Sequence, residues 1–149
     1  MLAFSIPEPD IKEFMQHLFA NDTFNNFEVR GVTVHSFTYF EISGERPRRE
    51  DEKNSYCTWE EIRPYVRNIL KGKEKPRAMK IIFAWGNPEE LHPNAAALFV
   101  NVNYEGENKV ICTTATSQKN FDMSRAVDTE WNNWVTDFLK RNGITASQM

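Results

Sequence analysis

The chain has 149 residues, 40% of them hydrophobic and 13% aromatic, and a formal net charge of −3. A chain of this length folds as one domain and buries roughly 70% of the surface its unfolded form exposes, so it needs no metal or disulfide to hold a core. The acidic balance argues against a nucleic-acid module, which is usually basic overall, and no apolar run approaches the roughly 20 residues of a membrane span.

Asp10 reads as an N-cap with Glu13 at the third helical position. Ile11, Phe14, Met15, Leu18 and Phe19 then mark one helical stripe, which Asn21-Asp22 ends. Phe27 and Val29 share one strand phase, while Val32, Val34, Ser36, Thr38, Phe40 and Ile42 share the other. Gly31 sits at the change of phase, where a β-bulge would place it. No turn residue interrupts 32–42, which predicts one long, bent strand. Residues 44–55 hold four basic and four acidic side chains and no large apolar one, the pattern of a mobile, solvated loop.

Thr58 with Glu61 forms a second capping-box signature. Trp59, Ile62, Tyr65, Val66, Ile69 and Leu70 share the face of the helix it opens, Gly72 fits its C′ position, and Pro64 predicts a kink. Residues 78–85 read as a strand. Residues 86–94 read as a loop with one helical turn at Pro88-Glu89-Glu90-Leu91. Leu98, Val100, Val102 and Tyr104 alternate with Asn101 and Asn103, and a turn at 105–108 leads to a β-branched run over 110–116. Phe121 to Met123 reads as a short strand. Val127, Trp131, Trp134, Val135, Phe138 and Leu139 lie on one face of a last helix, with Gly143 and Ile144 suited to its C′ and C″ positions. The order α-β-β-α-β-β-β-(β)-α predicts a single α+β domain over 1–149: one mostly antiparallel sheet of about five to six strands with three helices packed on it.

Several short runs occur together: Asp10…Phe14…Leu18-Phe19, Asp22-Thr23-Phe24, Trp59…Ile62…Pro64, Lys71-Gly72-Lys73, and Cys112-Thr113-Thr114…Thr116-Ser117 ahead of Trp131. With them the chain resembles an uncharacterised domain family of anaerobic Gram-positive bacteria over nearly its whole length. The resemblance implies a bacterial cytosolic protein and brings no activity, substrate, cofactor or site with it. Two residue-level readings agree with a cytosolic setting. Only six residues precede Pro7 and no apolar signal-peptide core follows. Cys57 and Cys112 lack a CxxC partner and read as free, reduced thiols. On that reading the sequon Asn21-Asp22-Thr23 is accidental.

No G-x-S-x-G, Walker, H-E-x-x-H or dinucleotide-binding motif occurs, so no catalytic residue, cofactor or metal is assigned. A dyad of Cys57 with His35 or His92 would need contact within about 3.2 Å; His17 lies on a helix. Asp122, Asp128 and Glu130 are read as acids complementing a helix N-terminus. Two candidate surfaces remain. Lys71, Lys73, Lys75, Arg77 and Lys80 form a basic run that could meet an anion, although no aromatic interleaves them for base stacking. Phe37 and Tyr39 alternate against Phe40 and Ile42, and Phe99 breaks the polar side of its strand, which suggests an interaction face needing a cover. That cover would be a helix, a small-molecule ligand or a second subunit, with a homodimer favoured. The sequence thus points to a non-enzymatic binding or interaction domain that self-associates through its sheet, or alternatively to anion or nucleic-acid binding through 71–80.

Overall fold

Side chains that alternate between two environments build seven strands, seen in a computed structural model that describes residues 1–47, 55–72, 74–106 and 108–149. The strands are β1 (Ala3–Ile6), β2 (Glu28–His35), β3 (Tyr39–Ser43), β4 (Ala78–Ala84), β5 (Ala95–Tyr104), β6 (Val110–Gln118) and β7 (Ser147–Gln148). They form one sheet in the order β3-β2-β4-β5-β6-β1-β7, and every neighbouring pair is antiparallel. The helices are α1 (Ile11–Phe19), α2 (Trp59–Leu70), α3 (Pro88–Leu91) and α4 (Ala126–Arg141).

The α+β class and the antiparallel sheet agree with the sequence; the counts do not. Among the described residues there are seven strands and four α-helices rather than five to six and three. The long strand expected over 32–42 is a hairpin, closed by a Ser36 amide donating to the Thr38 carbonyl (2.9 Å). Its register pairs Val34 with Phe40 and Val32 with Ile42. Such pairing keeps residues of one parity on one face, so the alternation runs through the turn without a break. β1 and β7 are too short to show a period. The strand expected at 121–123 does not form, and Phe121 and Met123 are almost wholly exposed.

Of the other local expectations, some hold and two do not. The β2–β4 register shifts between Val29 and Gly31, the expected bulge. The Thr58–Glu61 capping box forms, and α2 runs through Pro64 to Leu70 as one helix. After α4, Gly143 takes a φ of 69°, and the Ile144 and Gly143 amides donate to Leu139 and Lys140. These are the two bonds of a Schellman cap. Asp10 occupies the N-cap of α1 without a side-chain capping bond. Gly72 lies outside the left-handed region expected of a C′ glycine. Of the expected loop over 44–55, residues 48–54 lie outside the described residues. Its ends form a stem, Glu45 bridging Tyr56 and the Arg46 amide donating to Ser55.

α1, α2 and α4 all cover one face of the sheet. Val29, Val32 and Val34 of β2, Ile81 and Phe83 of β4, and Leu98 and Val102 of β5 are buried beneath them. Phe83 meets Phe24 (5.2 Å) and Trp59 (5.4 Å), and Phe138 of α4 meets Phe27 (5.4 Å). Two indoles fix the packing: Trp59 Nε1 of α2 donates to the Leu18 carbonyl of α1 (2.6 Å) within the helix layer, and Trp131 Nε1 of α4 to the Phe99 carbonyl of β5 (2.9 Å) between helix and sheet. The other face carries Thr33, Lys80, Ile82, Phe99, Asn101, Asn103, Ile111 and Thr113, none of them fully buried. An antiparallel sheet tolerates one such solvated face.

Candidate functional site

A trough of about 720 Å³ opens on the helix-covered face. Its floor is Met79 and Tyr104, paired across β4 and β5. One wall is α1, where Lys12, Met15 and Phe19 follow each other at helical spacing and so share a face. The other wall is Leu70, at the end of α2, with Lys75 and Pro76 on the way to β4. Glu8, Pro9, Ile11 and Asn108 complete the described lining. The returning chain is held in place from two sides. The Arg77 amide donates to the His35 carbonyl (2.7 Å), and the β5–β6 turn abuts Arg77 at Gly106, where a Cβ would lie 2.6 Å from the Arg77 oxygen. Met15, Phe19, Leu70 and Tyr104 are half-buried, whereas Lys12 and Lys75 are exposed and have no salt-bridge partner among the described residues. Mostly apolar walls with a few polar groups, at this volume, are the usual make-up of a small-molecule pocket.

The basic run is not one surface. Lys75 lines the trough, while Lys80 sits on the opposite face of the sheet between Thr33 and Asn103. Lys71 caps the C-terminus of α2 and Arg77 is exposed ahead of β4. Lys73 lies outside the described residues.

The three aromatics are also dispersed. Phe37 is in the β2–β3 turn, 72% exposed, with its ring edge-on to Phe40 (5.7 Å). Tyr39 lies against His35 (4.6 Å), level with Ala78 at the start of β4. Phe99 is half-buried, level with Ala84 at the end of β4. Six residues of strand separate those levels, roughly 20 Å. Phe40 and Ile42 face the helices and pack against the core.

Around Phe99 the open face has a second concavity of about 460 Å³. The bulge inserts Arg30 there, an instance of a bulge re-aiming a side chain. The Arg30 guanidinium lies 3.8 Å from the centre of the Tyr56 ring, 5.6 Å from that of Phe99 and 3.6 Å from Glu28 Oε1. Burial pushes the Glu28 carboxyl above its ordinary range, against the pull of Arg30 and Arg46. Arg46 makes a bidentate bond to Glu61 (2.8 and 3.2 Å), which raises its own affinity for a proton and lowers that of Glu61. Only Phe99 of this cluster stood out in the sequence; the signal for Arg30 was the neighbouring Gly31.

The remaining chemical groups stay apart. His17 Nδ1 is 2.7 Å from Thr23 Oγ1, and His92 Nδ1 accepts from the Asn94 amide (3.0 Å). Asp128 accepts from the Thr116 hydroxyl, and Asp122 accepts from the Ser124 amide, a bond that lowers its pKa. Among the described residues, no three His, Cys, Asp or Glu side chains gather as metal ligands.

The fold and the trough define a two-layer α+β domain with helices on one face of its sheet and the other face open. The chain belongs to a family of unknown function, DUF5721, which matches residues 17–146. No curated protein and no solved structure matches it.

Proposed function

We propose that this protein is a non-enzymatic binding domain that holds a small, largely apolar ligand in the trough between α1, the end of α2 and the β4–β5 floor. One observation carries the reading. Half-buried Met15, Phe19, Leu70 and Tyr104 converge from three separate elements, α1, α2 and β5, on a volume of about 720 Å³. Filling it would remove apolar surface from water, at about 25 cal/mol per Å². The bacterial cytosolic setting implied by the sequence resemblance belongs to this proposal. Titration with Nile red tests it: a rise in fluorescence is expected, weakened by Met15→Gln and by Leu70→Gln. No binding, or binding by both variants equal to that of the wild type, refutes it.

A second reading uses the opposite face. Ile82, Phe99 and Ile111 lie on a sheet surface that α1, α2 and α4 leave uncovered, and a second copy would cover it symmetrically. Light scattering at tens of micromolar should then give twice the 17.4 kDa chain mass, and Phe99→Glu should shift it toward monomer. A monomer at that concentration removes this reading. The alternative of nucleic-acid binding through 71–80 loses support, because Lys75 and Lys80 fall on opposite faces.

A further inference from the structure

We infer that the ligand of the trough is a single-chain amphiphile with one negative charge, a medium- or long-chain carboxylate, its acid group held by Lys12 and Lys75 and its tail laid along Met15, Phe19, Leu70 and Met79. The inference rests on the binding reading above and adds the chemical class of the ligand. The apolar part of the lining asks for a hydrocarbon. The charged part is Lys12 and Lys75 against Glu8. Neither lysine has a salt-bridge partner among the described residues, although the chain as a whole is acidic. Among the described lining residues two cations stand against one carboxylate, a balance that a single added negative charge completes. A dianionic phosphate would bring surplus charge toward Glu8, and a cationic amphiphile would meet two like charges. An ammonium group on a flexible stem can keep its charge in water while its methylenes lie on the apolar wall, so it can serve a head group at the mouth.

The experiment displaces Nile red from the intact chain with three twelve-carbon probes at submicellar concentration: dodecanoate, dodecanol and dodecyltrimethylammonium. Dodecanoate is expected to bind at least tenfold more tightly than dodecanol, and the trimethylammonium probe more weakly than either. The double variant Lys12→Gln with Lys75→Gln should bring dodecanoate to within about twofold of dodecanol. Both lysines are exposed, so the variant should melt with the wild type. Equal binding of dodecanoate and dodecanol overturns the inference, as does a preference that survives the double variant or tighter binding of the cation. In those cases Nile red still binds and the binding reading stands. Failure of Nile red to bind at all brings down both.

Discussion

Gly44 offers the sharpest test of the backbone that supports the open face. A Cβ built there would lie 1.7 Å from the Val29 carbonyl oxygen and 2.6 Å from its carbon, where ordinary contact begins at 3.4 Å. Both atoms belong to main chain, so no rotamer change relieves the clash, and the segments must separate by more than an ångström. Two short bonds run through this junction, from the Cys57 amide to the Gly44 carbonyl (2.7 Å) and from the Val29 amide to the Cys57 carbonyl (2.8 Å). Overpacking costs about 1–3 kcal/mol, and each weakened bond adds about 0.5–1.5 kcal/mol. Gly44→Ala should therefore cost about 2–6 kcal/mol, a large part of the roughly 5–15 kcal/mol that holds such a domain. At about 2–4 °C per kcal/mol, the melting temperature should fall by roughly 5–20 °C. Gly31→Ala is the control. Its added methyl meets only the Ile42 oxygen at 3.7 Å, and it should change stability by less than about 1 kcal/mol. Thermal unfolding followed by circular dichroism decides: a Gly44→Ala melt within about 2 °C of wild type, or equal to that of Gly31→Ala, would refute the argument.

Other outcomes follow from single groups. Cys112 is buried and its thiol is pushed up to about 12, whereas Cys57 is half-buried; Ellman's reagent on native protein at about pH 8 should modify one thiol, with the second appearing only in denaturant. The raised pKa of Glu28 means that its charged form costs stability, a cost absent below the ordinary carboxylate pKa and present once pH rises through the folded value. Glu28→Gln should thus stabilise at neutral pH and make no difference in acid. Glu61, lowered by Arg46, contributes the opposite way: its stabilisation is present above the ordinary value and lost as pH falls through the folded one, so Glu61→Gln should destabilise slightly at neutral pH and not in acid. Trp134 stacks on Trp131 (5.0 Å, 16°) and Phe138 (5.3 Å, 10°), and Trp134→Ala should lower stability by about 3 kcal/mol; a melt within a couple of degrees of wild type would show that the stack contributes little.

What the sequence made legible depends on neighbours within a few residues. The Thr58–Glu61 box, the Gly143–Ile144 cap, the bulge at Gly31 and the stripe of α4 each draw on a span of one or a few turns. The misread places are those where local pattern is ambiguous by geometry. The 36–38 turn preserves parity and so leaves the alternation intact. Phe121 and Met123 look like strand residues, but side chains take the backbone groups a ladder would need. Asn94 bonds both the amide and the carbonyl of Asn120, and Gln118 does the same to Asp122. A segment clamped by two side-chain amides has no main-chain groups left at those positions for a neighbouring strand.

The candidate site was hidden for a related reason. Lys71 to Lys80 reads as one charged surface because the cations are close in sequence, yet strand alternation divides them. Met79 points into the core, Lys80 points to the open face, and Lys75 precedes the strand and turns to the trough. Phe99 and Tyr39 share a phase and a face and still stand far apart, because register rather than phase sets position along the sheet. The floor of the trough is made by the pairing of Met79 with Tyr104, a contact between residues far apart in the chain. A charge or an aromatic in a β-rich chain therefore acquires its functional surroundings from the register of its strand. Here that register puts an apolar cleft flanked by two exposed lysines on one side of the sheet and an arginine set between two aromatic rings on the other.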